Sequence, residues 1–276
     1  MMNRWFYFVP KKIISKIAGY CADCRCSWFS RWLIKHFMRH FNIQLDEAQV
    51  KDIRQFESFN AFFTRELEPA ARPIADEPNA ICSPCDGKLG QFGLIDQGSL
   101  LQAKGHDYSL ISLLANHHNM AQIFNGGSYI TGYLAPSDYH RVHIPFSGVL
   151  QDMIFVPGAL FPVFPAATQE VAGLFARNER VISLFKTEQG MMAVILVGAL
   201  NVGSMTTAWH GPVLAKSGIE SWNYEQRRIH LDRGDELGYF KLGGSTVIVL
   251  FEKQVEWQLD SHQPVLKMGQ ALGRFL

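Results

Sequence analysis

Leu237-Gly238-Tyr239-Phe240-Lys241-Leu242-Gly243-Gly244-Ser245-Thr246-Val247-Ile248-Val249-Leu250-Phe251 is the stretch on which the reading of this chain turns. Two consecutive glycines run directly into a strongly β-branched segment, which predicts a strand beginning at the junction. Glycine permits positive φ and close backbone approach, so a Gly-Gly-Ser junction can be held in a strained turn whose carbonyl stays open to attack. From such a turn the Ser245 hydroxyl could attack the Gly244 carbonyl and form an ester. Elimination across Ser245 and hydrolysis would leave a ketone at a new N-terminus. Read alone, the same residues also fit an ordinary turn before a strand.

The texture of the sequence changes near residue 68. Residues 1–66 place apolar and aromatic side chains at helical spacing, through Trp28, Trp32, Leu33, His36 and Phe37 and again through Phe56, Phe59, Phe62 and Phe63, with Pro10 as the early interruption. After Pro69 and Pro73 come short β-rich runs, Tyr129 to Leu134, Val149 to Val156, Met191 to Val202 and Thr246 to Phe251, separated by Gly, Pro and Asp turns. Short helices are expected at Ser109 to Asn116 and around Phe161 to Gln169. The expected fold class is α+β, with a helical, membrane-associating region over residues 1–68 and a mostly antiparallel β-rich catalytic domain over residues 69–276.

A formal net charge of +1 conceals an asymmetry. Residues 1–40 carry eight basic side chains (Arg4, Lys11, Lys12, Lys16, Arg25, Arg31, Lys35, Arg39) against one acid, Asp23, for +7; the remainder, with 18 basic and 24 acidic residues, carries −6. Helices rich in Trp, Phe and cations suit an anionic membrane surface, where rings sit at headgroup level. The plainer alternative is an amphipathic helix packed on the core. No apolar run reaches the roughly 18 to 20 residues needed to span a bilayer. Lys11, Lys12 and Lys16 break up the N-terminal apolar stretch and argue against a secretory signal, which points to a cytoplasmic location.

Five cysteines, an odd number, argue against a disulfide framework. Cys21 and Cys24 share C-x-x-C spacing with Cys82 and Cys85, as a four-thiolate zinc site requires. Their unlike contexts, the leftover Cys26 and the lack of knuckle glycines favour free thiols instead, and no metal is expected.

A second constellation lies at Tyr133-Leu134-Ala135-Pro136-Ser137-Asp138-Tyr139-His140-Arg141-Val142-His143-Ile144-Pro145, two histidines three apart in a proline-flanked segment. Such density suggests acid–base work, although either ring alone could be structural. A third is Ser83-Pro84-Cys85-Asp86-Gly87, either a turn or the source of a carboxylate that orients a catalytic histidine. Serine, histidine and aspartate together make an activated-nucleophile set.

In these elements the chain resembles the pyruvoyl-dependent phosphatidylserine decarboxylase family. The likeness extends through Phe59-Asn60-Ala61-Phe62-Phe63-Thr64-Arg65-Glu66-Leu67, Arg72-Pro73-Ile74, Lys104-Gly105-His106-Asp107-Tyr108-Ser109-Leu110, Asn178-Glu179-Arg180-Val181 and Val197-Gly198-Ala199-Leu200-Asn201-Val202-Gly203-Ser204. The resemblance implies that Ser245 becomes a covalent pyruvoyl group, that the chain cuts itself between Gly244 and Ser245 into large and small subunits, and that His143, oriented by Asp86, is the base for that step. It implies that His140 serves the decarboxylation of phosphatidylserine to phosphatidylethanolamine, with Asp138 a lesser contributor. It further implies a homodimer held peripherally on the cytoplasmic side of the cell inner membrane, with no diffusible cofactor and no nucleic-acid partner.

Two departures stand out. The commonest bacterial form has one glycine between Leu and Ser, whereas this chain reads Leu242-Gly243-Gly244-Ser245; where the family usually has Asn, this chain has Phe164. The competing readings are a serine hydrolase using Ser245, His143 and Asp86, which lacks the G-x-S-x-G elbow, and a catalytically silent lipid-binding protein of the same fold.

Overall fold

Every residue of the strand Ser245–Phe251 is buried, and it is hydrogen-bonded on both edges. Its β-branched run is suited to that double burial. In this computed structural model, residues 11–103, 106–200, 205–213, 218–243, 245–259 and 265–276 are described. Among them the strand lies inside a nine-stranded antiparallel sheet, between Gly190–Val197 and Ser128–Leu134. Arg180–Thr187, Gly148–Val156 and Glu220–Asn223 extend the sheet on one side, and Gly87–Leu94 and Val265–Leu266 on the other.

The expected runs over 129–134, 149–156 and 246–251 are all strands, each beginning one residue earlier than predicted. The run predicted over 191–202 is a strand at Gly190–Val197, with residues 201–204 outside the described part. Helices fall at Leu110–Leu113, within the segment anticipated for it, and at Pro165–Glu170, which runs one residue past the end of its own. A smaller sheet, Gly211–Val213, Met205–Thr207, Glu236–Phe240 and Arg141–His143, carries the histidine segment.

The N-terminal part is less helical than its periodicity suggests. Helix α1 spans Lys11–Ala22, α2 spans Ser27–Phe41 and α3 is only Phe59–Phe63. Asn42 takes the left-handed conformation and donates its N–H to the Met38 carbonyl, which ends α2. The chain then runs without α-helix until Ser58 caps α3 by accepting from Ala61 N. Phe59, Phe62 and Phe63 from α3 join Ile34, Phe56 and Ala22 in a small core separate from the large one under the sheet. Leu242, two residues before Gly244, packs on this small core.

Candidate active site

Ser245 is fully buried at the first position of its strand, and its hydroxyl has no hydrogen-bond partner among the described residues. It pairs with Leu134, from which the chain turns through Ala135 to Asp138 towards His140. Asp138 closes that turn, its carboxylate accepting from Ala135 N at 2.7 Å. At the far end, Phe240 N donates to the His140 carbonyl at 3.1 Å. Segments 134–140 and 240–245 are therefore tied together at both ends, with His140 at one tie and Ser245 at the other. Gly243, between them, has φ of 134°, a conformation that favours glycine. Gly244, the expected acyl donor, lies outside the described residues.

The His140 ring is fully buried, stacks on Phe63 with centroids 4.0 Å apart, and makes no hydrogen bond of good geometry through either nitrogen. Burial, and then the charge of Arg65, pull its pKa down to about 3, against the weaker opposing pull of the Pro136 and Ala135 carbonyls. The ring is neutral. A buried, unpartnered imidazole is costly unless something else uses it.

His143 is held differently. Its Nδ1 lies 2.8 Å from the Gly234 carbonyl, which can only accept, so Nδ1 carries the proton and Nε2 the lone pair. The Tyr139 hydroxyl sits 3.1 Å from Nε2 and donates to it. Burial lowers this imidazole's pKa, while the Gly234 hydrogen bond and the charges of Glu236 and Asp86 work the other way.

In the structure no hydrogen bond joins His143 to Asp86. Its carboxylate is taken by Arg72 (Nε to Oδ1 at 2.9 Å, Nη2 to Oδ2 at 2.6 Å) and by Met268 N at 2.9 Å, with Lys267 Nζ 3.7 Å away. Three cationic or N–H partners leave it no reason to seek the imidazole. Asp86 and His143 are nonetheless neighbours, because His143 N donates to the Pro84 carbonyl at 2.8 Å, and Asp86 acts on the ring through its charge. Gly87 lets this segment meet the sheet: a Cβ there would lie 2.2 Å from the Tyr133 carbonyl oxygen. Burial raises the Asp138 pKa first of all, with the Ala135 N–H opposing.

Sequence reasoning did not single out the residues that roof this site. Phe63 covers His140; the Thr64 carbonyl and Glu66 hold Arg141 (2.8 and 3.0 Å); Arg65 reaches the Ser137 carbonyl at 3.5 Å. All belong to the Phe59–Leu67 motif, whose unusual run of aromatics beside Thr-Arg-Glu was the available signal. Beneath them an apolar cleft of about 310 Å³ opens between Phe37, Phe41 and Phe63 of the helices, Phe164 of the facing loop, and Leu242 and Gly243. Phe164 is half-exposed there and leaves the helix Pro165–Glu170 without a side-chain cap.

All five thiols are free, and among the described residues no cluster of three or more His, Cys, Asp or Glu side chains is arranged for a metal. No described helix is long and apolar enough to cross a membrane.

Comparison with known proteins identifies the family. Residues 59–274 match the family model for phosphatidylserine decarboxylase, and residues 6–42 a second model designated PSD. The phosphatidylserine decarboxylase proenzyme of Stutzerimonas stutzeri is 48% identical, covering 97% of this chain and 92% of its own length. Those of Pseudomonas aeruginosa and Coxiella burnetii are 46% and 47% identical, covering 96% and 93% of this chain and 94% and 91% of their own. A match of that extent, on a chain whose buried serine opens a central strand, makes this protein a member of the phosphatidylserine decarboxylase family.

Proposed function

We propose that the chain is a proenzyme that cuts itself between Gly244 and Ser245, and that the mature enzyme converts phosphatidylserine to phosphatidylethanolamine and carbon dioxide on an anionic membrane surface. The observation that carries this reading is the Ser245 hydroxyl, fully buried and unpartnered at the start of a strand that directly follows two glycines.

In the cut, Ser245 Oγ displaces the Tyr139 hydroxyl from His143 Nε2, gives that nitrogen its proton and adds to the Gly244 carbonyl. The C–N bond breaks, the nitrogen is protonated, and an ester joins the two pieces. Loss of the Ser245 Cα proton then expels the Gly244 carboxylate, and water replaces the terminal nitrogen, released as ammonia, with a ketone oxygen. Locking Nδ1–H onto Gly234 supports His143 as the base, since it fixes the lone pair on the other nitrogen.

The surroundings of Ser245 fit a pyruvoyl group: the side chain is buried and held by no other residue. When present, that group supplies the electron sink for the charge left as carbon dioxide departs. His140 stands by to protonate the carbon. An anionic headgroup arriving beside this neutral ring raises its proton affinity, so substrate binding charges the donor. The apolar cleft at Gly243 receives the adjoining apolar part of the lipid.

Exposed Trp28 (74%) and Trp32 (54%) on α2, with Ile17 and Tyr20 on α1 and basic Lys16, Lys35 and Arg39 nearby, support peripheral attachment at the inner membrane. Dimerisation follows the family resemblance and is read by light scattering. Intact-mass measurement together with carbon dioxide release from phosphatidylserine vesicles tests the whole proposal. Two fragments meeting at 244/245 and turnover are expected; a single uncut chain would favour a serine hydrolase or a silent lipid-binding protein.

A further inference from the structure

Between Phe240, tied to the His140 carbonyl, and Ser245, fixed in its sheet, the chain must hold the scissile bond in place. Among the described residues of this loop, one backbone hydrogen bond does so: Leu242 N donates to Asn60 Oδ1 at 3.1 Å. Asn60 is only 4% exposed, and its other amide atom is also used, with Nδ2 donating to Asp23 Oδ1 at 2.8 Å. Asp23 sits in the turn between α1 and α2, its N–H bonded to the Gly19 carbonyl, and it also receives Lys241 Nζ at 3.4 Å. The Asn60 carbonyl accepts both the N–H and the hydroxyl of Thr64, so the amide projects from a fully bonded turn of α3.

We infer that Asn60 is the positioning residue for self-cleavage, holding the Lys241–Gly243 loop, and that Asp23 ties this grip to the α1–α2 turn. This rests on the proposed cut at Gly244–Ser245. An acyl shift needs the hydroxyl and the carbonyl at near-attack geometry, and a loop with glycines at 243 and 244 does not hold itself there. The amide orientation is specified, not arbitrary: Leu242 N requires an acceptor and Asp23 requires a donor, so Asn60 serves both and neither Asp nor Leu can. The single acid among the first forty residues is the one aimed at this amide.

The test is a time course of self-cleavage on the freshly synthesised full chain, read by intact mass, with melting of each variant on the uncuttable Ser245→Ala background as the control for folding. Wild-type chain must first be seen to cut at 244/245; absence of that cut overturns the processing reading and this inference with it. Given that cut, Asn60→Ala should slow cleavage about tenfold, the worth of one buried hydrogen bond of ~1.4 kcal/mol, while the background chain still melts cooperatively. Asn60→Asp should be slow as well, because its carboxylate faces Asp23. The exchange Asp23→Asn with Asn60→Asp keeps an acceptor for Leu242 N and restores a donor across the turn, and should recover most of the rate. Cleavage of folded Asn60→Ala and Asn60→Asp chains at the wild-type rate overturns the inference, as does failure of the folded exchange variant to recover. Should Asn60→Ala fail to fold, the Asn60→Asp chain and the exchange decide by the same criteria.

Discussion

Arg72 grips Asp86 through both carboxylate oxygens, at 2.9 and 2.6 Å, and so takes the acid away from the imidazole of His143. The pair is buried on both sides, so removing one member leaves a charge stranded. Arg72→Met on the Ser245→Ala background should lose about 3 to 5 kcal/mol of stability in denaturant unfolding. A loss well under 1 kcal/mol would show that Lys267 and Met268 N suffice to hold the carboxylate.

Processing has a definite size signature. Wild-type protein should yield a piece ending at Gly244 and a second of 32 residues (276 − 244) whose N-terminus is a ketone. Ser245→Ala should remain one chain. Efficient cutting of that variant at the same bond would refute a serine-derived group.

The two histidines should fail differently. His143→Ala should block the cut, leaving intact chain by mass. His140→Ala should still cut to a measurable extent yet lose decarboxylation by at least a hundredfold, the usual scale of a lost acid or base. Normal cleavage and turnover in both would show the roles to be misassigned.

Acid stability follows from the buried rings. The folded chain holds His140 neutral down to about pH 3, against an ordinary value of 6.5, and His143 is shifted the same way. Below pH 6.5 the unfolded chain therefore takes up protons that the folded chain refuses. The stabilisation from keeping these rings neutral is whole above 6.5 and is lost as pH falls, by about 1.4 kcal/mol per unit for each ring while it stays neutral. On the Ser245→Ala background, His140→Phe should show a shallower fall in melting temperature from pH 7 to 5 than its parent; equal slopes would contradict the assignment.

The proposed membrane attachment would combine two forces with different salt dependence. Each basic residue near an anionic bilayer contributes on the order of 1 kcal/mol and fades as salt shortens the Debye length, whereas insertion of Trp28 and Trp32 does not. Reversing Lys11, Lys12, Lys16, Arg31 and Lys35 to Glu in folded, processed protein should sharply reduce sedimentation with anionic vesicles. Unchanged sedimentation would assign these basic residues to packing within the protein or against a second copy.

The strands were legible because β-branched runs bounded by Gly, Pro and Asp encode them locally. Residues 42–58 were not, because Phe56 continues a helical rhythm that left-handed Asn42 has already interrupted. At the site, Ser245 and the two histidines announce themselves by residue type and spacing. Arg72, Tyr139, Phe63 and Asn60 do not, since their roles come from contacts across the fold: Asn60 meets Leu242 across 182 positions of sequence. That Arg72 and not His143 bonds the Asp86 carboxylate was hidden for a related reason, since only the fold brings Arg72 to it.

The strand Ser245–Phe251 has partners on both flanks, and the residues after it weave in as well, with Ala271–Phe275 lying between Ala80–Cys82 and Val255–Trp257. A cut at its leading edge would divide the polypeptide without dividing the fold, leaving the 32-residue piece as the keel of the larger one. Such a molecule has a history: it assembles while continuous, and the severed parts, once pulled apart, have no tether to bring them back into register. Maturation would then be a one-way door, and the cell's supply of active enzyme would be set by synthesis of new precursor, not by repair of the old.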